Sequence, residues 1–326
     1  MKLGVIGGGA WGTALAQVVS TGGRETLLWA LEPEVVETIN ARHENSAYLP
    51  GIPLNPAIRA TLDLAELDAC DGWIVVTPAQ HMRSVLHRAP DGGRPLVLCS
   101  KGIEASSGKL LHEVAREICP ASPIAVLSGP TFAHEVASGL PTAVTLACED
   151  RELGEKLRAR INLVEFRTYC TDDVAGAEAG GAVKNVLAIA CGIVEGKRFG
   201  QNARAALIAR GFAEMTRFGV AMGGRRETLA GLSGLGDLVL TCSSTSSRNF
   251  SLGKSIGEGR DVGELMKDRR TVAEGAHTAP VVNRIAIERD VDMPIVGAVV
   301  ELLEGRTRID ELLQTLLSRP PRDEED

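Results

Sequence analysis

The sequence lacks the basic stretches with which nucleic-acid-binding proteins hold phosphate groups. Its 35 lysines and arginines are outnumbered by 42 aspartates and glutamates, and the formal net charge is −7. No basic block exceeds a pair such as Arg225-Arg226 or Arg269-Arg270. We therefore expect neither a nucleic-acid partner nor attraction to an anionic membrane surface.

Long apolar runs are also missing. A helix needs about 18 consecutive apolar residues to cross a bilayer, and no stretch of the sequence approaches that length. The first residues, Met1-Lys2-Leu3-Gly4-Val5, lack the apolar run of a signal peptide. We expect a cytoplasmic protein without stable membrane association.

The seven cysteines are scattered, and none forms the C-x-x-C spacing of a zinc site or a redox dithiol. An odd number of cysteines also argues against a complete disulfide framework. We expect reduced, mostly buried thiols and no metal site.

The length of 326 residues predicts two domains, at roughly one domain per 150 residues. In the first half, short β-rich runs alternate with segments of helical pattern, which is typical of a parallel, doubly wound sheet. Strands are predicted at residues 3–6, 26–30, 73–76, 96–99, 124–127, 142–146 and 164–169. Glycine and polar residues follow several of these strands, at the sheet edge where open α/β proteins bind ligands.

After residue 171 the strand pattern fades, and helices are predicted over 174–194 and 203–218. A Gly/Ser-rich stretch, 231–247, interrupts this helical half, and the charged end 319–326 is predicted to be a disordered tail. The predicted fold class is α/β. It comprises a Rossmann-type, mainly parallel dinucleotide-binding domain over 1–170 and an all-helical substrate and catalytic domain over 171–326.

The strongest local motif is Gly7-x-Gly9-x-x-Gly12, which follows an apolar strand and opens an amphipathic helix. The first glycine permits a tight turn, the second lets backbone approach a pyrophosphate, and the third lets helix pack closely on strand. Free N–H groups at the helix start attract the anion. This context predicts a dinucleotide site rather than a merely glycine-rich turn.

Glu32 lies at the end of the second predicted strand, twenty residues after Gly12. A carboxylate there accepts hydrogen bonds from the ribose hydroxyls of NAD and repels the extra phosphate of NADP. The alternative is that Glu32 is only the exposed first residue of the helix that begins Glu32-Pro33-Glu34. We predict NAD or NADP as cofactor, with NAD preferred.

Lys184 is the only cation in an otherwise apolar helical segment and follows two glycines, Gly180 and Gly181. Each mid-helix glycine costs about 1 kcal/mol relative to alanine, so we expect another backbone or a ligand to approach closely there. Burial lowers the pKa of a lysine and makes it a usable proton donor and acceptor. Lys184 is therefore a catalytic candidate, unless its side chain reaches solvent.

Two further polar residues stand in apolar or glycine-rich surroundings: Asn185 and Asp237. Burial of an unpaired polar group is costly, so we expect them to orient Lys184, although each could equally be a helix or loop cap. Ser247-Arg248-Asn249 precedes a helical pattern and offers a guanidinium fork and helix-start donors to a phosphate. An ordinary surface arginine is the alternative.

Taken together, these segments resemble the bacterial NAD(P)-dependent glycerol-3-phosphate dehydrogenases, almost from end to end. The resemblance is carried by Gly7-Gly-Gly-Ala-Trp-Gly-Thr-Ala-Leu-Ala16, by residues 43–51, by Gly129-Pro-Thr-Phe-Ala-His-Glu-Val-Ala137, by residues 181–190 and 231–238, and by Ser247-Arg-Asn249. It implies interconversion of dihydroxyacetone phosphate and sn-glycerol 3-phosphate, which supplies phospholipid synthesis. It also implies a small-molecule phosphate substrate and a homodimer.

The resemblance also implies residue roles. Lys184 matches the proton acceptor of the oxidative direction. Asn185 and Asp237 join it in the predicted catalytic set as the residues expected to orient it. The matching substrate positions are Lys101, Gly129, Thr131, Lys184, Asp237, Ser247, Arg248 and Asn249. The matching cofactor positions are Trp11, Tyr48, Lys101, Ala133, Arg248, Val272 and Glu274. The dinucleotide motif and the end of the second strand add the cofactor candidates Gly7, Gly9, Ala10, Gly12 and Glu32.

Three positions depart from the family pattern. Ala10 and Thr131 stand where serine is usual, and Leu31-Glu32 stands where many members carry arginine or histidine for the 2′-phosphate of NADP. Two other functions stay open. One is a β-hydroxyacid dehydrogenase, whose Lys-x-x-x-Asn spacing differs from the adjacent Lys184 and Asn185. The other is a non-catalytic dinucleotide sensor.

Overall fold

A computed structural model of the chain describes residues 1–90, 92–267, 273–309 and 311. It divides into two compact units, and the division falls inside one long helix. The first unit comprises Met1–Gly181 and Met222–Asp237, and the second comprises the described residues of Ala182–Ala221 and Leu238–Asp326. The predicted domain boundary between residues 170 and 171 stays a prediction.

The first unit contains an eight-stranded sheet. Its strands are β1 (Leu3–Ile6), β2 (Thr26–Trp29), β3 (Ile58–Thr61), β4 (Gly72–Val75), β5 (Leu96–Leu98), β6 (Ile124–Ser128), β7 (Thr142–Cys148) and β8 (Phe166–Thr171). They lie in the order β3-β2-β1-β4-β5-β6-β7-β8. All neighbouring strands run parallel except β6 and β7, so the prediction of a mainly parallel sheet is confirmed.

Sequence analysis missed β3. Its four residues, Ile-Arg-Ala-Thr, are too short and too polar to form a recognisable alternating pattern, and pairing with β2 defines the strand. With it, the first six strands follow the order 3-2-1-4-5-6 of a dinucleotide-binding fold.

Alternate residues of the central strands pack into two separate hydrophobic clusters, as the period of two in a strand requires. One cluster contains Val5, Ile74 and Val97. The other contains the residues next to them in the same strands, which are Ile6, Trp73, Val75, Leu96 and Leu98. Helices cover both faces, which makes the sheet doubly wound. The helices that lie wholly in this unit are α1 (Ala10–Ser20), α2 (Pro33–Arg42), α3 (Ala79–Leu86), α4 (Leu111–Ile118), α5 (Ala133–Ala137), α6 (Arg151–Ile161) and α9 (Arg226–Leu229), with a 3₁₀ helix at Leu64–Ala69 and a π-helical turn at Leu232–Gly236.

The second unit is helical in its described part, as predicted. Its elements are α7 (Val174–Gly196), which begins in the first unit, α8 (Gly200–Ala221), α10 (Asp237–Cys242), α11 (Arg248–Gly257), α12 (Val262–Lys267), α13 (Glu274–Glu288) and α14 (Pro294–Leu303). Helices α7 and α11 cross at very short range. A Cβ atom added to Gly253 would lie 2.0 Å from the carbonyl oxygen of Ile189, so only glycine fits there.

Among the described residues, α7 is the one helix long and apolar enough to cross a membrane. Its most apolar 18-residue window is 94% buried inside the protein, as in the core helix of a globular protein.

Six of the seven cysteines are buried and all seven are free, which agrees with the expected reduced thiols; Cys170 is exposed. The expected disordered tail, 319–326, lies outside the described residues.

Candidate active site

The glycine-rich turn joins β1 to α1 at the carboxyl edge of the sheet. Gly7 has a φ of +128°, a conformation that residues with a Cβ rarely adopt. A Cβ on Gly12 would lie 1.9 Å from the carbonyl oxygen of Gly7, whereas one on Gly9 would meet no atom within 4 Å. The turn is therefore tight on one side and open on the other. The first turn of α1, which starts at Ala10, presents N–H groups that lack helical partners. This geometry can hold a pyrophosphate.

Three buried polar atoms at this edge have no hydrogen-bond partner within the described residues. They are Nε1 of Trp11, in the first turn of α1, Oγ1 of Thr77, just after β4, and Oγ of Ser128, at the end of β6. An unsatisfied buried polar group costs free energy, so such groups indicate a ligand or water. All three residues lie at or after the carboxyl ends of strands, on the sheet edge that was predicted to bind a ligand.

Two predicted cofactor residues, Glu32 and Tyr48, contact each other. The hydroxyl of Tyr48 donates a hydrogen bond of 2.9 Å to Oε1 of Glu32. Glu32 is the N-cap of α2, but its side chain makes no capping hydrogen bond. Its carboxylate is thus oriented by Tyr48 and is not used to cap the helix.

Lys101, in the loop after β5, is paired with a buried carboxylate. Its Nζ lies 2.6 Å from Oδ2 of Asp237 and 3.4 Å from the carbonyl oxygen of Gly129. Asp237 is fully buried and the side chain of Lys101 is 15% exposed. Three predicted substrate positions are thereby brought together. Asp237 was predicted to orient Lys184, and that role stays a prediction.

The loop that carries Lys101 is anchored to α3. Arg83 donates two hydrogen bonds of 2.8 Å to the buried carboxylate of Glu104, and these bonds hold the pKa of Glu104 below its ordinary value. Gln80 donates to the carbonyl oxygen of Ile103 at 2.8 Å. Burial raises the pKa of the neighbouring Cys99 thiol, so Cys99 stays uncharged beside Lys101. The loop therefore presents a lysine from a fixed backbone.

The segment after β6 supplies the remaining predicted positions of the first unit. A Cβ on Gly129 would lie 2.9 Å from the Cα of Val144, so only glycine fits against β7. The hydroxyl of Thr131 donates to the carbonyl oxygen of Gly129 at 3.3 Å, and Ala133 is the first residue of α5.

In the second unit, Lys184 lies inside α7 and is only 6% exposed, as expected from its apolar surroundings. Its Nζ donates a hydrogen bond of 2.9 Å to Oγ1 of Thr241, a buried residue of α10. Earlier in the same helix, a Cβ on Gly180 would lie 2.7 Å from the carbonyl oxygen of Ser233. The predicted close approach of another backbone to the α7 glycines is confirmed at Gly180.

Asn185 and Asn249 form a buried amide pair. Nδ2 of Asn249 donates to Oδ1 of Asn185 at 3.0 Å, and Oδ1 of Asn249 accepts from the N–H of Gly275 at 2.9 Å. The pair thus ties α7, α11 and α13 together. A direct role of Asn185 in orienting Lys184 stays a prediction.

Ser247 is the N-cap of α11, and its hydroxyl accepts a hydrogen bond of 3.2 Å from the N–H of Phe250. Arg248, the next residue, is exposed, and its side chain has no protein partner within the described ranges. An exposed guanidinium at a helix N-terminus is suited to an anion. Glu274 is the first residue of α13, and Val272 lies outside the described residues.

The structure adds candidate site residues that the sequence alone did not single out. Thr241, the partner of Lys184, lies 57 positions away in an ordinary Leu-Thr-Cys run, and no spacing rule links the two. Thr77 and Ser128 belong to the polar residues that the sequence places after predicted strands, at the expected binding edge, but neither was assigned a role of its own. That signal was present, because both follow strands whose carboxyl ends meet at the binding edge.

The fold and these sites define a class: a dehydrogenase with a Rossmann-type dinucleotide domain and a helical second part. Family models sharpen that class. The N-terminal model of NAD-dependent glycerol-3-phosphate dehydrogenase matches residues 2–154, and its C-terminal counterpart matches residues 173–314. The chain belongs to the NAD-dependent glycerol-3-phosphate dehydrogenase family, and the resemblance found in the sequence is confirmed.

Individual relatives agree with this assignment. Glycerol-3-phosphate dehydrogenase (NAD(P)+) of Erythrobacter litoralis is 61% identical over 323 residues, covering 99% of this chain and 98% of the relative. That of Novosphingobium aromaticivorans is 62% identical over 320 residues, covering 98% and 97%. The crystal structure of glycerol-3-phosphate dehydrogenase from Coxiella burnetii superposes with a TM-score of 0.92 at 38% identity, covering 98% of this chain and 99% of that one.

Proposed function

We propose that this chain is an NAD(P)-dependent sn-glycerol-3-phosphate dehydrogenase that interconverts dihydroxyacetone phosphate and sn-glycerol 3-phosphate. The observation that carries the proposal is Lys184, a buried amine in an apolar helix with a hydroxyl as hydrogen-bond partner. A lysine placed in this way is suited to proton transfer. Family membership supplies the substrate class.

When bound, the nicotinamide cofactor supplies or accepts the hydride. In reduction, the ammonium of Lys184 donates a proton to the oxygen on substrate C2, so the ketone gains one hydride and one proton and becomes the alcohol. In oxidation, the neutral amine accepts the hydroxyl proton. Thr241 holds Nζ in place, while Asn185 and Asp237 complete the catalytic set. Residues 171–326 contribute substrate binding and catalysis in this proposal.

Substrate recognition is assigned to the polar residues that match the family's substrate positions. The guanidinium of Arg248 and the N-terminus of α11 bind the phosphate, with Ser247 and Asn249 beside them. Lys101, Gly129, Thr131 and Asp237 bind the remaining polar groups of the substrate.

Cofactor binding is assigned chiefly to residues 1–170. Gly7, Gly9, Ala10, Trp11 and Gly12 surround the pyrophosphate, and Glu32 with Tyr48 binds the adenine ribose. Lys101 and Ala133 complete the contacts within this range. Arg248, Val272 and Glu274 add contacts from the second half. Because the carboxylate of Glu32 repels a 2′-phosphate, NADH is the preferred reductant.

The deciding experiment follows NADH absorbance at 340 nm after dihydroxyacetone phosphate is added to the purified protein. Turnover that disappears in Lys184→Met supports the proposal. Activity on a 3-hydroxyacid with none on dihydroxyacetone phosphate would replace it by the β-hydroxyacid reaction, and cofactor binding without any turnover would indicate a sensor.

We further propose that the protein is a cytoplasmic homodimer that supplies glycerol 3-phosphate for phospholipid synthesis. Family resemblance supports both the assembly and the role. Light scattering coupled to gel filtration tests the assembly, since a dimer has twice the 34.5 kDa mass of the chain.

A further inference from the structure

We propose that Asn45 is a positioning residue for the glycine-rich turn: it fixes the peptide group between Gly8 and Gly9 so that the Gly9 N–H faces the cofactor pyrophosphate. This inference rests on the proposed dinucleotide binding and goes beyond it, because Asn45 is not among the cofactor contacts assigned above.

Asn45 is completely buried, and its amide is used on both sides. Nδ2 donates hydrogen bonds of 2.8 Å to the carbonyl oxygen of Gly8 and of 2.8 Å to Oγ1 of Thr13. Oδ1 accepts from the N–H of Tyr48 at 3.1 Å. Rotation of the amide by half a turn would set Oδ1 against the Gly8 carbonyl, two acceptors face to face, so only one orientation fits.

Because the peptide bond is planar, the contact between Asn45 and the Gly8 carbonyl also fixes the direction of the Gly9 N–H. The carbonyl of Gly8 and the N–H of Gly9 belong to one trans peptide group and point in opposite directions. Because the carbonyl is held by Asn45, the N–H points away from Asn45. A Cβ on Gly9 would meet nothing within 4 Å, so the space beside this residue is open to a ligand.

The hydrogen bond from Asn45 matters because a glycine backbone can adopt more conformations than that of any other residue. The peptide between Gly8 and Gly9 has no side chain on either flank to restrict its rotation. A hydrogen bond from a buried side chain removes that freedom before the ligand arrives, and preorganisation of this kind increases affinity. Asn45 therefore acts on the affinity for the pyrophosphate and not on the chemical step.

The same segment reaches the ribose side of the site. We define residues 45–48 as the strap. At one end Asn45 holds the Gly8 carbonyl, and at the other the hydroxyl of Tyr48 donates to Glu32. The strap thus connects the turn that faces the pyrophosphate with the carboxylate that faces the ribose.

Calorimetric titration with ADP-ribose, which contains the pyrophosphate but no nicotinamide, tests the role of Asn45 without turnover. In Asn45→Ala we expect the Kd for ADP-ribose to rise about tenfold, because of the three hydrogen bonds that are lost only the one to the Gly8 carbonyl orients the peptide that faces the pyrophosphate. At saturating NADH, kcat and the KM for dihydroxyacetone phosphate should stay within about twofold of wild type.

Asn55→Ala is the matched control. Asn55 donates from Nδ2 to the carbonyl oxygen of Ser20 at 3.0 Å, at the opposite end of α1. Helix α1 has 11 residues, so this contact lies about 16 Å from the glycine-rich turn. Both variants should melt at a lower temperature than wild type, but only Asn45→Ala should bind ADP-ribose more weakly.

The outcomes separate cleanly. An unchanged Kd in folded Asn45→Ala, or an equal rise in Asn55→Ala, overturns the role of Asn45. Should Asn45→Ala melt below the assay temperature, Asn45→Leu, which fills a similar volume and carries no donor, replaces it, and an unchanged Kd there has the same meaning. If wild-type protein binds neither ADP-ribose nor NADH, the proposed function itself fails.

Discussion

Nζ of Lys101 lies 2.6 Å from Oδ2 of Asp237, a carboxylate that is fully buried. The two residues are 136 positions apart, so only the fold brings them together. In Lys101→Met the buried carboxylate loses this cation, and breaking such a pair costs about 3 kcal/mol. We expect a lower melting temperature, measured by calorimetry, and a higher KM for dihydroxyacetone phosphate.

The double variant Lys101→Met/Asp237→Asn separates stability from activity. Removal of the carboxylate charge should restore part of the melting temperature but none of the activity. A double variant as unstable as the sum of its two single variants would contradict coupling between these charges.

Replacement of Lys184 by methionine keeps the length and apolar character of the side chain and removes the amine. Because the loss of a general acid or base lowers rates by about 10²- to 10⁴-fold, we expect a fall of that size in kcat. The Kd of ADP-ribose, measured by calorimetry, should stay within about twofold of wild type, since the amine is not assigned to the adenine side of the cofactor. A variant with near-normal kcat would exclude Lys184 as the proton donor.

The parts of the fold and site that sequence predicted are those in which local pattern and chemistry coincide. The turn at Gly7 to Gly12 and the apolar helix around Lys184 are local, so residue spacing alone located them. The strand β3 was missed because pairing with β2, and not its own composition, makes it a strand. Likewise, Thr241 becomes the partner of Lys184 only when α10 packs against α7, a contact that leaves no periodic signal.

Glu32 and Tyr48 determine the cofactor preference in our proposal. Wild type should show a higher kcat/KM with NADH than with NADPH. In Glu32→Arg, the guanidinium pairs with the 2′-phosphate, and we expect the ratio to fall about tenfold or more. Tyr48→Phe removes the hydrogen bond to Glu32 but leaves the Glu32 carboxylate in place. It should therefore lower the ratio of kcat/KM for NADH to that for NADPH less than Glu32→Arg does. If Glu32→Arg leaves the ratio unchanged, Glu32 has no part in cofactor choice.

The exposed guanidinium of Arg248 is assigned to the substrate phosphate. Charged hydrogen bonds contribute about 1.5–3 kcal/mol, so Arg248→Met should raise the KM for dihydroxyacetone phosphate about 10- to 100-fold. Turnover of unphosphorylated dihydroxyacetone at saturating NADH should fall much less, because only the cofactor contact assigned to Arg248 is lost there. Arg210→Met removes another exposed arginine, on α8, and serves as the control. Equal effects of the two substitutions would show Arg248 to be an ordinary surface residue.

Glu214 gives the protein a predicted pH dependence of stability. The side chain is buried in α8, and its carboxylate accepts hydrogen bonds from the N–H groups of Ile295 and Val296 at 2.7 and 3.2 Å. Burial raises the pKa of Glu214 from 4.5 to about 7, although these two N–H groups and Arg217 oppose the shift. The folded state therefore binds a proton that the unfolded chain releases. The resulting stabilisation is complete below pH 4.5 and is lost as pH rises to about 7.

Substitution by glutamine isolates this effect, since Glu214→Gln keeps an oxygen acceptor for α14 and cannot ionise. At pH 5 the variant and wild type should have similar melting temperatures, because wild-type Glu214 is then largely protonated in the folded protein. At pH 8 the variant should be more stable, by on the order of 3 kcal/mol for a shift of this size. Other carboxylates titrate equally in both proteins, so the difference in melting temperature between them reports Glu214 alone. A difference that does not change from pH 5 to pH 8 would mean that Glu214 ionises normally in the folded state.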